Sequence, residues 1–380
     1  MIDSVFFAVT VFAALYWVAA LACVARYARR RPWPSRLSRP VTILKPLCGD
    51  DGHLYENLAS FCRQDYPSFE ILLGIRDHGD SAVPVVDRLI HEFPDVEIRL
   101  VVDDRTIGAN LKVSNLANLL RHAKHETLII ADADMRVGTD YIAAVAGALE
   151  DGDVGLVTCL YRGVAGCRLS SKLGAMFINE WFFPAALVGT HVEQLRHAFG
   201  ATIACRRDTL HAIGGFEATA NHLADDYMLG RLVHRGGLRV VLVPYLVDNV
   251  IADTSLRQLA VHELRWARTF RTLRPLAYFC SLFTFGIPVS LGWLAASFGS
   301  PLAGGALLAH VMLRCLGRMM LARAVGREVR GRDAWLVPMR DVLSFVVGLV
   351  SFLGRTVRWN DTDFYVRPDG RLQSRWEKSS

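Results

Sequence analysis

Residues 127–137 read TLIIADADMRV. The apolar run from Thr127 to Ala131 has the length and composition of a buried strand, and it ends in two carboxylates one residue apart, Asp132 and Asp134. Side chains two apart on an extended segment point the same way, so both acids can face one hard cation and the diphosphate it neutralises. An isolated Asp-x-Asp is also what an Asp-rich turn looks like. Its neighbours decide between the two readings.

On either side of this stretch, strand-like and helix-like runs alternate from Pro40 to about Val250. Val41 to Leu47, Phe69 to Ile75, Val96 to Val102, Thr127 to Ala131 and Val154 to Leu160 read as strands. His53 to Arg63, Val83 to Phe93 and Leu111 to Ala123 read as helices, with Leu54, Leu58 and Phe61 on one side of the first. This alternation implies crossover units and an α/β fold whose sheet is largely parallel and covered on both faces. Ligands of such sheets sit beyond the carboxyl ends of the strands. Asp77 and the Asp132/Asp134 pair fall at two of those ends, so they can converge on one crevice.

Four further clusters follow the same logic. Asp77 ends its strand in Arg76-Asp77-His78, where a carboxylate can accept hydrogen bonds from a base or ribose or can close a turn. Lys112, with Asn115, stands at the start of a helix, a dipole end that favours phosphate; a solvated lysine has the same pattern. Asp226, in Asp225-Asp226-Tyr227, opens a helix-like run and can be a general base or an N-cap. His262-Glu263-Leu264-Arg265-Trp266 lies in the amphipathic segment Leu259 to Leu273, where Arg265, Arg268 and Arg271 can meet phosphate or lipid headgroups. Taken in order, these clusters suggest an enzyme that handles a nucleotide-sugar.

The 380-residue chain is 52% hydrophobic with a mean hydropathy of +0.25, a balance that points to the membrane. Val5 to Ala25 carries no charge and reaches the roughly 20 residues a spanning helix needs. Without a basic stretch before it, the run reads as an anchor rather than a cleaved signal. Arg26, Arg29, Arg30, Arg31 and Arg36 follow it, so the positive-inside rule places the next domain in the cytoplasm. Further apolar stretches run from Pro275 to Phe298, Pro301 to Val325 and Trp335 to Leu353; Arg314, Arg318 and Arg323 interrupt the second and Arg340-Asp341 the third. If all three crossed, the tail with Arg355, Arg358 and Arg367 would lie outside, against the charge rule. One of the three is therefore expected to be re-entrant or interfacial.

The net charge of +6 comes largely from juxtamembrane arginines, which suit anionic headgroups rather than nucleic acid. The eight cysteines show no metal spacing and are expected to be reduced and mostly buried. Leu169 to Val188, rich in aromatic residues, can line an acceptor entrance at the membrane or be ordinary core.

Lys45-Pro46-Leu47-Cys48-Gly49, Arg76-Asp77-His78, the Lys112/Asn115 segment, Asp132 to Val137, Arg206-Arg207-Asp208 with Gly214-Gly215-Phe216, Asp225-Asp226-Tyr227 and Arg265-Trp266 occur in the order seen in ceramide glucosyltransferases of glycosyltransferase family 21. The resemblance covers roughly residues 40 to 270, with the N-terminal anchor and the hydrophobic C-terminal region. It implies a GT-A (Rossmann-like) fold, an inverting mechanism and a UDP-sugar donor. It also implies that Asp77 contacts uridine, that Asp132 and Asp134 bind the diphosphate of the nucleotide-sugar and its metal, Mg²⁺ or Mn²⁺, that Arg265 and Trp266 complete the diphosphate and acceptor side, and that Asp226 is the base. Lys112, by its place at a helix start, is expected to join the nucleotide-sugar contacts. His262 departs from the family's Gln or Arg at the first position of the Arg-Trp motif. Overall similarity points within the family to the bacterial hopanoid-associated branch. That branch implies transfer of N-acetylglucosamine to a hopanoid such as bacteriohopanetetrol at the inner membrane.

The expected organisation is an anchor and basic flank over 1–35, a GT-A domain over 36–256 and an amphipathic segment over 257–274. A membrane region of two to three spanning or re-entrant helices over 275–356 and a polar tail over 357–380 complete it. Glucose transfer from UDP-glucose to ceramide is the main alternative. A processive synthase would need a wider helical channel, and a non-catalytic membrane scaffold would need no carboxylate series. Sequence leaves the oligomeric state open.

Overall fold

The computed structural model describes residues 2–31, 33, 39–252, 255–326, 333–359 and 362–374. Arg36 and the expected boundary at 35/36 lie outside the described residues. The chain divides into two compact units. One comprises Arg31–Gly166, Gln194–Ala252 and Arg371–Ser380; the other comprises Met1–Arg30, Cys167–Glu193 and Asp253–Gly370.

The first unit is built on an eight-stranded sheet. Its strands are β1 (Val41–Pro46), β2 (Phe69–Ile75), β3 (Glu97–Val102), β4 (Thr127–Ile130), β5 (Met135–Arg136), β6 (Val154–Ala165), β7 (Ile203–Arg206) and β8 (Arg239–Ile251), in the order β3-β2-β1-β4-β7-β6-β8-β5. The β3-β2-β1-β4 half is parallel, as the helical crossovers α2 (Leu54–Cys62), α3 (Val83–Glu92) and α4 (Leu111–Leu120) require. The expectation of a largely parallel sheet needs correction in the other half. β7 runs antiparallel to both β4 and β6, and β5 antiparallel to β8, so the sheet is mixed. Short, isolated β5 and β7 lack the long apolar run that announced the other strands.

Val41, Ile43, Leu73, Ile129 and Val157, all under 2% exposed, form the centre of this unit's core, with α5 (Tyr141–Ala146) contributing Tyr141 and Val145. The burial pattern explains why β1, β2 and β4 are apolar at successive positions: both faces of the sheet are covered. Helix α8 (Arg207–Ala212) and α9 (Asp225–Arg235) follow β7.

The second unit is helical: α1 (Ile2–Ala28), α6 (Leu169–Phe177), a π-helical turn over Ile178–Phe182, α7 (Phe183–Val192), α10 (Leu256–Leu273), α11 (Pro275–Ser281), α12 (Gly286–Ala296), α13 (Pro301–Ala324) and α14 (Leu336–Val350). The aromatic segment Leu169–Val188 belongs here, although the sequence alternation had enclosed it in the α/β span. Among the described residues, α1, α13 and Leu336–Leu353 are long and apolar enough to cross a membrane. The pair Pro275–Thr284 and Gly286–Ala296 passes the same test together but is bent by 63°. β9 (Thr356–Trp359) and β10 (Thr362–Val366) form an antiparallel hairpin after α14, and β11 (Leu372–Ser374) ends the described chain.

All eight cysteines are free thiols, as expected. They are not mostly buried: Cys62, Cys159 and Cys205 are, whereas Cys48, Cys167 and Cys280 are exposed.

Candidate active site

Asp132 leaves the carboxyl end of β4, where the backbone stops being extended. Ala133 and Asp134 form a turn closed by Met135 N–H donating to the Asp132 carbonyl at 3.3 Å. The extended geometry expected for the two acids is thus replaced by a turn, and each acid acquires its own surroundings. Asp134 Oδ2 accepts from Asn249 Nδ2 of β8 at 2.7 Å. Asp132 Oδ1 lies 2.5 Å from Lys112 Nζ, which is also 3.9 Å from Asp225 Oδ2.

Lys112 reaches this position because α4 begins one residue before it. Asn110 caps that helix, accepting from Val113 N–H, and its amide donates to the His222 carbonyl at 2.9 Å. The cap therefore ties the start of α4 to the loop that leads into Asp225. Asn115 has a structural role, its amide donating to the Gly74 carbonyl of β2.

Asp225 and Asp226 open α9, where the helix N-terminus favours negative charge. Asp226 accepts the Tyr227 N–H at 2.7 Å. Helix α9 passes so close to the 197–198 backbone at Gly230 that a β-carbon there would meet Ala198 N at 2.5 Å. The same segment leads to Gly200, where a β-carbon would stand 3.0 Å from Asp226 Oδ2 and 3.6 Å from Asp132 Oδ2. Carboxylates from two distant parts of the chain thus face one small space that the missing side chain of Gly200 keeps open.

The electrostatics follow from burial. Withdrawal from water raises the Asp226 carboxyl to about 7, and the charges of Asp225 and Asp132 push the same way while Lys112 opposes them. Asp225 is also raised, by burial first, against the pull of Lys112. Burial disfavours the charged form of Lys112, but Asp132, Asp225 and Asp226 outweigh it and hold the ammonium well above its usual range. Beneath them Lys45, fully buried, donates from Nζ to the Asp132 carbonyl at 2.8 Å and sits 3.6 Å from the centre of the Phe61 ring. Burial lowers it to about 7 despite Asp132 and Asp134.

The structure therefore brings together Lys112, Asp132 and Asp226, with Asp134 on the adjoining turn. Asp77 is exposed at the end of β2 and accepts the Gly79 N–H at 3.0 Å in a local turn. Arg265 and Trp266 belong to α10 of the helical unit. There Trp266 stacks on Phe177, with centroids 5.9 Å apart, and packs against His262 at 4.3 Å. The residue that breaks the family pattern thus supports the tryptophan. Sequence reasoning assigned no role to Lys45, Asn110, Gly200 or Asn249. Asn110 had a signal, an Asn directly before a helix; Gly200 and Asn249 had none, since only the folded chain sets them beside the carboxylates.

Among the described residues no group of three or more His, Cys, Asp or Glu side chains is arranged to hold a metal ion. Two hard carboxylates on one turn nevertheless fit a Mg²⁺ or Mn²⁺ that takes its other ligands from phosphate and water.

A mixed α/β sheet with acids beyond the end of β4 defines a GT-A fold. In agreement, the chain is similar to the solved mannosyltransferase PcManGT from Pyrobaculum calidifontis in complex with GDP-Man and Mn²⁺. That likeness covers 92% of this chain and 99% of the other, with a TM-score of 0.54 at 18% identity. The family model described as Glycosyl transferase family 21 matches residues 5–372, and the chain belongs to that family. Among curated relatives it is 28% identical over 233 residues to ceramide glucosyltransferase 3 of Caenorhabditis elegans, which is 60% of this chain and 50% of the relative. It is 26% identical over 241 residues to ceramide glucosyltransferase 1 of the same organism, 62% of this chain and 50% of the relative. The chain thus spans about half the length of these relatives. A shorter stretch of 123 residues, 28% of this chain and 23% of the relative, is 32% identical to the ceramide glucosyltransferase of Gibberella zeae.

Proposed function

We propose that the protein transfers a sugar from a UDP-sugar to a hydroxyl of a membrane lipid, with inversion at the anomeric carbon. The observation that carries this reading is the meeting of Asp226 and Asp132 at Gly200, one carboxylate raised toward neutral pH and the other paired with Lys112. Asp226 takes the proton of the acceptor hydroxyl as it attacks in line with the departing diphosphate. Lys112 passes from Asp132 to the diphosphate, where a cation stabilises the leaving group. Asp132 and Asp134 would hold a divalent cation, Mg²⁺ or Mn²⁺, which would supply charge neutralisation to the diphosphate. Asp77 binds the nucleoside. Arg265 and Trp266 complete the diphosphate and acceptor side. The Mn²⁺ bound by the solved mannosyltransferase supports the metal.

The curated relatives are ceramide glucosyltransferases, which supports UDP-glucose and a ceramide acceptor over the expected N-acetylglucosamine and hopanoid. The hopanoid reading rests on overall sequence similarity alone and stands as the alternative. The basic residues after α1 support a cytoplasmic orientation of the α/β unit, and a bacterial inner membrane rests on the family resemblance alone. Purified enzyme offered ceramide and bacteriohopanetetrol with UDP-glucose and UDP-N-acetylglucosamine distinguishes these by mass spectrometry. Glucosylceramide is the expected product; N-acetylglucosaminyl hopanoid alone would favour the alternative, and no product on any lipid would favour a scaffold.

A further inference from the structure

Leu336–Leu353 is long and apolar enough to cross a membrane, but the path of the chain argues against a crossing. Three observations fix it. The first is parity. The chain leaves the α/β unit at Ala252 and rejoins it at Arg371, where Leu372 N–H donates to the Asn221 carbonyl at 2.7 Å and Arg371 bridges His222. A sheet with open polar edges stays on one side of the bilayer. The segment between Ala252 and Arg371 must therefore cross an even number of times, and it contains three candidates: the bent α11–α12 pair, α13 and Leu336–Leu353.

The second observation is direction. The C-terminal end of α1 leads into the α/β unit, so that end marks the α/β side. His310 Nε2 lies 3.1 Å from the Thr10 carbonyl, Arg314 lies 4.0 Å from the Trp17 ring centre, and a β-carbon at Gly317 would contact Leu21 at 3.6 Å. Positions rise together along both helices, so α13 runs parallel to α1 and toward the α/β side. Trp293, near the end of α12, donates to Asp3 at 2.7 Å and stacks on Phe6, while Gly286 at its start meets His310, the residue bonded to Thr10. Hence α12 runs the opposite way and ends at the far side. The bent pair crosses outward and α13 crosses back.

The third observation is what holds α14. Glu263 of α10 accepts both Arg340 Nη1 and Arg340 Nη2 at 2.7 Å near the start of α14. Arg271 of α10 donates to the Ser351 and Gly354 carbonyls just beyond its end. The helix thus lies lengthwise on α10, an amphipathic helix whose charged residues are too numerous for a span. On its other side Met339, Val346, Val350 and Leu353 are exposed at helical spacing.

We propose that α14 does not cross the membrane but lies in the leaflet on the α/β side, seated on α10 and presenting Met339, Val346, Val350 and Leu353 to lipid acyl chains. The protein then crosses three times, through α1, α11–α12 and α13. This path places Arg323, Arg355, Arg358 and Arg367 on the same side as Arg26, Arg29, Arg30 and Arg31 and leaves opposite the turn 297–300 and the start of α1 with Asp3, neither of which carries a Lys or Arg. The charge conflict raised by the sequence disappears.

Single cysteines introduced as Phe298→Cys, Arg323→Cys and Arg367→Cys in a full-length background lacking the native cysteines test the path, with a membrane-impermeant maleimide applied to sealed vesicles before and after permeabilisation. Cys48, restored alone, marks the α/β side. Arg323→Cys and Arg367→Cys should label with Cys48, and Phe298→Cys from the opposite side. Opposite labelling of Arg323→Cys and Arg367→Cys would mean that α14 crosses. Phe298→Cys labelling with Cys48 would mean that α11–α12 is the re-entrant element. Either result overturns the proposal, as would Val346→Cys labelling as fast as Arg367→Cys, since the helix would then lie in water. If the cysteine-free protein fails to insert, fusion reporters after residues 299, 326 and 374 of the native chain give the same decision.

Discussion

Lys112 Nζ stands 2.5 Å from Asp132 Oδ1 and 3.9 Å from Asp225 Oδ2, so one ammonium compensates two acids, one after β4 and one at the start of α9. The pair is only partly covered, the lysine side chain being 21% exposed and the aspartate 31%, which leaves both within reach of a diphosphate.

Replacing this lysine removes a charged donor from the phosphate and leaves the acids uncompensated. Lys112→Met should raise the KM for the UDP-sugar by about 10- to 100-fold, the worth of a charge-assisted hydrogen bond. Initial rates across donor concentrations check this, with Lys112→Arg expected to recover part of the loss. An unchanged KM would remove Lys112 from the donor site.

Asp226→Asn keeps the shape of the side chain but cannot accept a proton. Turnover should fall by ~10²-fold or more while UDP-sugar binding survives, and retention of more than about a tenth of turnover would count against the base. Because burial holds the wild-type carboxyl up at about 7, the folded state binds the proton more tightly than the unfolded one. This group's contribution to stability is full below the ordinary carboxylate range and is lost as pH rises toward 7. The Asn variant should therefore melt at a higher temperature than wild type at pH 8 and lose that advantage near pH 4. Wild-type turnover should rise with pH to about 7, and Asp225→Asn should move that limb to lower pH by removing a neighbouring negative charge.

The turn that carries Asp132 and Asp134 brings negative charge toward a negative diphosphate. Excess chelator should silence transfer, and Mg²⁺ or Mn²⁺ should restore it. Full activity in chelator would remove the metal from the mechanism, leaving Lys112 as the principal phosphate cation.

In the helical unit the fully buried Arg340 holds Glu263 through two 2.7 Å hydrogen bonds, three residues before Trp266. Breaking one partner of such a pair strands a buried charge at a cost of about 3–5 kcal/mol. Arg340→Met should lower the thermal midpoint sharply, and the Arg340→Met/Glu263→Leu double variant should regain much of it. A single-variant midpoint equal to wild type would show that the pair is not compensating a buried charge.

Much of the parallel half of the sheet was legible because β1, β2 and β4 are largely apolar runs buried on both faces, with β3 a partly buried edge strand, and each crossover helix has its own period. The α/β class, the three carboxylate clusters and the membrane-length runs followed from local pattern alone. Local pattern could not show that the chain re-enters the sheet antiparallel at β7, since Ile203–Arg206 is too short to carry a period. Nor could it place Gly200 between Asp132 and Asp226, or separate the roles of the two acids in the Asp-Ala-Asp turn. Those relations join residues tens of positions apart, and only packing brings them together. The same holds for the membrane region. Hydropathy measures whether Leu336–Leu353 can cross, but whether it does depends on where its two ends are tied. Glu263, Arg271 and the return of Leu372 to Asn221 decide that in three dimensions.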